Sequence, residues 1–135
     1  MKRHTKRYSL KEVFIHVPTP ESEDITSYGN RHKLKVEFDG DMVKMSSDRL
    51  VLFKHKGVTC VTCGLEGKFF IKKQGDNDMS PHLNLYAVGK DGKKVLMTKD
   101  HIHPKSKGGK DCLSNYQTMC THCNEKKADK IQGGN

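Results

Sequence analysis

The 135-residue sequence predicts an α+β fold, on three observations. Several stretches alternate apolar and polar residues with a period of two around Gly-containing turns, the pattern of half-buried strands. Two others carry residues at helical spacing, one behind a Ser-Ser-Asp start and one at the end of the chain. Finally, two Cys-x-x-Cys pairs, Cys60/Cys63 and Cys120/Cys123, offer four sulfurs to one point, so the fold reads as small and zinc-stabilised.

Composition bounds the rest. The length suits one domain, divided here into an N-terminal extension, residues 1–57, and a C-terminal unit, residues 58–135. Hydrophobic residues make up 33% and Trp is absent, so apolar burial needs a second source of stability, and a structural metal fits. The 25 Lys+Arg against 16 Asp+Glu give a formal charge of +9 and a pI near 9.3, which favours a polyanionic partner, nucleic acid before membrane. An inert basic surface has the same charge. No run approaches the length of a membrane-spanning helix. Met1 to Pro20 is basic and polar with only a five-residue apolar patch, Val13 to Val17, not the basic start followed by an apolar run that a secretory leader needs, so the expectation is a reducing, cytoplasmic setting, where paired Cys-x-x-Cys reads as metal rather than disulfide.

Taken in order, the basic start (Lys2, Arg3, Lys6, Arg7) reads either as a phosphate-gripping arm or as a frayed terminus. Val13 to Val17 reads as a short strand, and Pro18 to Asp24 as a linker or exposed loop. Lys33 to Phe38 alternates strictly, Asp39-Gly40 turns, and Met42 to Met45 returns as the second strand of a hairpin. Ser46-Ser47-Asp48 starts a helix over Arg49 to Lys56, with Leu50 and Phe53 on one face and Gly57 closing it; a strand also fits so short a stretch.

Lys68 to Lys72 suits a strand leaving the first cysteine turn, and Gln74 to Asp78 a loop. His82 to Val88 and Val95 to Thr98, joined by Gly89-Lys90-Asp91-Gly92, form a second hairpin that delivers Asp100 and His101 at its exit. Pro104 to Thr118, rich in Gly, Lys and Ser, reads as a loop over the site. Its Lys105, Lys107 and Lys110 suit phosphate contact, or are simply a solvated lysine run, and Lys127 further on is expected to add to the grip on phosphate. Asn124, Lys127, Ala128 and Ile131 share one face of a C-terminal helix. Cys112 has no partner and reads as a small buried residue.

The chemistry-bearing residues crowd into this last third. Asp100 offers an anionic oxygen and Asn124 a neutral one, donors that Mg2+ accepts while keeping waters and phosphate oxygens. His101 can take a proton from water near neutral pH. A cation that stabilises a leaving oxygen and a histidine that activates water suffice for phosphodiester hydrolysis. Alternatively, Asp100 and His101 merely cap a turn. Neighbouring side chains of a regular strand point to opposite faces, so the two can share a site only if the backbone departs from strand geometry there, and Pro104 makes such a departure reasonable.

Asp100-His101-Ile102-His103-Pro104, the Lys107-Gly108-Gly109 loop, Asn115, and Cys120-x-x-Cys123-Asn124-x-x-Lys127 together resemble the HNH endonucleases, in the variant with Asn at the third signature position and a four-cysteine zinc scaffold. The resemblance is specific over Val95 to Ile131 and weaker back to Cys60. It implies a ββα-metal fold, here preceded by a β-hairpin and a short helix. By the same resemblance Asp100 and Asn124 ligate a catalytic Mg2+ or Mn2+, His101 is the general base, and Asn115 braces the loop and helps orient His101. Cys60, Cys63, Cys120 and Cys123 hold structural Zn2+ away from the chemistry. The implied activity is cleavage of DNA leaving 5′-phosphate ends, and the family suggests a phage, mobile-element or restriction setting. The rival from another class is a non-catalytic, zinc-stabilised nucleic-acid-binding module, which needs no Mg2+; a third possibility keeps the enzyme but takes branched or junction DNA.

Overall fold

Eleven strands and α-helices alternate along the computed structural model, which describes residues 5–74 and 80–128. In chain order they are β1 (Arg7–Tyr8), α1 (Leu10–Phe14), α2 (Tyr28–Arg31), β2 (Lys35–Phe38), β3 (Asp41–Lys44), α3 (Asp48–Lys56), β4 (Phe69–Lys73), β5 (His82–Val88), β6 (Lys94–His101), β7 (Tyr116–Cys120) and α4 (Thr121–Lys127). The fold is α+β. Strands β1, β4, β5, β6 and β7 lie side by side in that order, every neighbour antiparallel, and β2–β3 is a separate hairpin.

The predicted hairpins and the predicted helix at Arg49 to Lys56 are present. The turn of the first hairpin places Asp39 at φ 49° and Gly40 at φ 91°, the doubly positive pair that matches the twist of two-residue hairpins. Buried Lys72 on β4 fastens this hairpin to the sheet: its Nζ lies 2.8 Å from Asp41 Oδ2 and donates to Phe38 O at 2.7 Å. Helix α3 begins where Ser47 Oγ accepts the Leu50 N–H at 3.2 Å, and it buries Leu50, Val51, Leu52 and Phe53.

Three expectations are corrected. Val13 to Val17 is not a strand: α1 occupies Leu10–Phe14, because Ser9 and Glu12 form a reciprocal capping box, Ser9 Oγ accepting Glu12 N–H and Glu12 Oε1 accepting Ser9 N–H, both at 3.0 Å. The stretch Pro104 to Thr118 is not all loop either. Short 3-10 turns occupy Lys105–Lys107 and Leu113–Asn115, and from Tyr116 the chain enters β7, paired along its length with Met97–His101. Lastly, β6 does not leave strand geometry at Asp100, since ladder pairing continues through Asp100↔Gln117 to His101↔Tyr116. Ile131 and the Gly133-Gly134 stop lie outside the described residues, as do Lys2, Arg3 and most of the Gln74 to Asp78 loop.

Strand β6 changes partner midway. Lys94–Leu96 pair with β5, whereas Met97–His101 pair with β7 on the opposite edge. The edge of Met97–His101 that faces away from β7 therefore has no strand partner among the described residues. Helix α3 covers one face of the β6–β7 ribbon: Tyr116 Oη donates to Asp48 Oδ2 at 2.7 Å, Thr118 Oγ1 to Gly57 O at 2.7 Å, and Lys56 Nζ to Tyr116 O at 3.0 Å. Helix α4 covers the other face, so β6, β7 and α4 form the ββα unit. A single buried cluster runs from Tyr8 and Val13 through the α3 leucines to Met97, Tyr116 and Cys120, crossing the boundary drawn at residue 57.

Tyr116 is fully buried and its hydroxyl bonds to a carboxylate, so deleting that hydroxyl strands an acceptor. Tyr116→Phe is expected to lower stability by about 2 kcal/mol in urea denaturation, with the denaturant slope unchanged.

Candidate metal centre and active site

The first cysteine turn is a tight knuckle in which Gly64 N–H donates to Cys60 O and Cys60 N–H to Leu65 O. Val61 N–H donates to Thr118 O at 3.0 Å, which lays the knuckle along the outer edge of β7. Cys120 ends β7 and caps α4, its sulfur accepting the Cys123 N–H at 3.5 Å. In this way residues distant in sequence bring all four Sγ atoms within 4.8 Å of one another. Four ligands at about 2.3 Å from a tetrahedral zinc stand about 3.8 Å apart, and the Cys63–Cys120 sulfur separation is 3.7 Å. The donor set therefore fits a metal ion. Burial alone would raise the Cys60 thiol, but N–H groups of Cys120, Cys63 and Thr62 outweigh it and bring it down to about 6. Burial, followed by the neighbouring thiols, pushes Cys123 up to about 12. One thiolate thus forms readily and the last only with a cation to share its charge. Cys112 is buried with its sulfur 3.2 Å from Ser114 Oγ and takes no part.

Next to this centre, α4 lies along β6. Asn124 Nδ2 donates to Thr98 Oγ1 at 2.8 Å, and one turn on Lys127 Nζ reaches Asp100 Oδ2 at 2.9 Å. Thr98 and Asp100 alternate on one strand and so share its face, which sets Asp100 and Asn124 on the same side of the ribbon. Asp100 is 6% exposed; its Oδ2 also accepts from Gln117 Nε2 at 2.9 Å, while its Oδ1 and the Asn124 Oδ1 accept no hydrogen bond among the described residues. Two oxygens of the hard type that a divalent cation takes are left without a protein donor among the described residues, although Lys127 already shares the carboxylate. Lys127 itself, expected at phosphate, is instead 8% exposed and locked between Asp100 Oδ2 and His101 O, at 2.7 Å from the latter. It is a strut of the fold, because a buried ammonium with two protein acceptors has no reason to face solvent.

His101 leaves β6 on the opposite face, toward α3. Its Nε2 lies 2.7 Å from Asp111 Oδ1 and its ring stands edge-on to Tyr116 at 5.1 Å. Lys105 holds the other Asp111 oxygen at 2.7 Å, and Lys105 first, then His101, keep the Asp111 carboxyl below its usual range. The expectation that Asn115 orients His101 is corrected in its partner. Asn115 accepts His103 N–H at 2.9 Å and donates to His103 O and Lys110 O at 3.1 and 2.9 Å, bracing the loop through its backbone. Asp111 holds the imidazole. The same loop closes on Gly109, where any Cβ would fall 1.8 Å from His103 O. Lys105 and Lys107 stay exposed, and Lys107 O accepts or approaches His103 Nε2 at 2.8 Å.

Of the residues expected from the sequence, the structure brings the four cysteines together and sets Asp100 and Asn124 on one face, with His101 on the other and Asn115 in the loop, while their partners Asp111, Gln117 and Thr98 were not expected. The last two sit on paired strands and could have been found only with β7 in register. Asp111 carries no local signal beyond following Gly-Gly-Lys in a loop.

Residues 88–133 match the sequence model of a family described as HNH endonuclease. The match spans β6, the loop, β7 and α4, about a third of the chain, and stops short of Cys60 and Cys63, so over this segment the chain is similar to the HNH endonucleases, a family of nucleases. No curated protein and no solved structure matches the chain. Among the described residues no helix is long and apolar enough to cross a membrane.

Chelation at neutral pH, or Cys63→Ser, is expected to lower the melting temperature by on the order of 10 °C or more. Mass spectrometry under native conditions checks it: one metal ion per wild-type chain and none in the variant.

Proposed function

We propose that the chain is a metal-dependent HNH endonuclease that hydrolyses DNA phosphodiester bonds and leaves 5′-phosphate ends, with zinc in the four-cysteine cage. The observation that supports this best is the placement of Asp100 and Asn124 on one face of β6 with an oxygen each to spare, beside His101 at the end of the same strand, inside the family-matched segment. Asp100 Oδ1 and Asn124 Oδ1 would hold Mg2+ or Mn2+, and a cation bound there would supply positive charge against the phosphate and the leaving 3′-oxygen.

His101 acts as the base. Asp111 engages Nε2 and fixes the ring, so Nδ1, which makes no hydrogen bond among the described residues, receives the proton of the attacking water. The ribbon geometry limits where the phosphate lies. Since Asp100 and His101 project to opposite faces, one phosphodiester reaches both only across the unpartnered edge of Met97–His101, where the two faces meet. Lys105, exposed beside Asp111, supplies charge to the phosphate on the His101 side.

A second reading, a zinc-stapled nucleic-acid-binding module that does not cut, is favoured by that same division of faces and by the Lys127 ammonium on the Asp100 carboxylate. Cleavage decides between them. Purified protein with Mg2+ or Mn2+ is expected to nick or linearise plasmid, and His101→Ala to slow this at least about 100-fold with bound zinc unchanged. An alanine variant that cuts like wild type removes His101 as base, and a wild type that binds DNA but leaves it intact with either cation selects the second reading.

A further inference from the structure

A groove outside the catalytic ligand set runs along the α3 face of β6. Two hollows, about 510 and 330 Å³, share Lys44, Ser47, Asp48 and Lys99 as lining and so meet end to end. One end opens at His101 and Lys105, and the other reaches Arg49 and the start of β5. Its floor includes the unpartnered edge of β6 at Met97, Thr98 and Lys99.

The charges in this groove are unbalanced. Lys99 is half-buried; its ammonium lies 4.5 Å from the centre of the Tyr116 ring and forms no ion pair within 4 Å among the described residues. Lys44, also half-buried, donates to Gly29 O. Arg49 gives one guanidinium nitrogen to Leu83 O at 2.9 Å, while its Nε is buried without a hydrogen-bond partner among the described residues. The two acids present are already committed: Asp48 accepts from Gly29 N–H and Tyr116 Oη, and Asp111 from His101 and Lys105. Burial lowers both lysines from their ordinary range, and the nearby Asp48 carboxylate, whose charge the two share, offsets this only in part, so holding both cations here carries a cost. Such a cost persists where a ligand supplies the missing charge.

We propose that this groove receives the phosphodiester backbone of the nucleic acid, with Lys44, Arg49 and Lys99 contacting successive phosphates and leading the strand to His101. An extended occupant is required, because the cations are distributed over two joined hollows rather than gathered around one point. Lys44 and Arg49 lie outside the family-matched residues, so the substrate grip comes largely from the N-terminal extension. The inference rests on the nucleic-acid reading of the site but not on cleavage.

Fluorescence anisotropy with a labelled DNA duplex, and with a single strand of equal length, in EDTA tests it. Lys44→Gln plus Lys99→Gln is expected to weaken binding at least 10-fold and to flatten the salt dependence by about two phosphate contacts, each contributing a slope of about 0.9. Lys99→Arg keeps binding, and Lys90→Gln, on the exposed β5–β6 turn, changes nothing. Should loss of the Lys44–Gly29 bond disturb the fold, Lys99→Gln alone, which breaks no hydrogen bond, is expected to cost about 3-fold. A well-folded double variant that binds like wild type with the same salt slope overturns the groove while leaving the nuclease reading intact. Failure of the nuclease reading appears separately, as wild-type binding without cutting; a wild type that binds neither probe overturns the groove.

Discussion

The four-sulfur cage is the constraint on which the site depends. It ties the end of β7 and the first turn of α4 to a knuckle supplied by Cys60 and Cys63, and so sets the distance and tilt at which α4 crosses β6. Asn124 and Lys127 project from that helix onto Thr98 and Asp100, so the cage sets where Asn124 stands relative to Asp100. A seven-residue helix is too short to hold itself in water. A metal ion worth roughly 10 kcal/mol in comparable small sites is enough to hold it.

The other face of the ribbon depends on hydrogen bonds instead. Tyr116 and Thr118 bind α3, and Asp111 links His101 to Lys105. His101 and the Asp100–Asn124 pair therefore belong to different supports, one anchored to the N-terminal segment and one to the cage. They are joined through the paired backbones of β6 and β7, regular through His101, and through Lys127, which bridges Asp100 Oδ2 and His101 O.

The legible parts of the sequence were those with local physical signatures. The Asp39-Gly40 turn, the Ser47 cap and the paired cysteines each declare themselves within a few residues, and all three stand in the structure. The Ser9-x-x-Glu12 capping box was equally local, but the apolar run after it outweighed it and the segment read as a strand. Strand β7 was hidden because Tyr116-Gln117-Thr118 follows a Gly- and Lys-rich loop, and its extended form comes from pairing with Met97–His101 rather than from its own composition. For the same reason the sequence named Asp100, His101 and Asn124 without assigning their sides: facing depends on register, and register on a strand that was not foreseen. Asp111 as the partner of His101, and Lys127 as a buried strut, are tertiary facts with no trace in local spacing.

The knuckle has one further consequence, for portability. Half of the cage and all of α3 lie upstream of the residues that carry the family pattern. A recombination event that moved only that pattern into another host would leave two thiols facing water and one side of the ribbon bare. Any successful transplant must bring its own sulfur donors, or borrow a pair at the right distance from the recipient, so the recognisable unit and the heritable unit of this fold are not the same length.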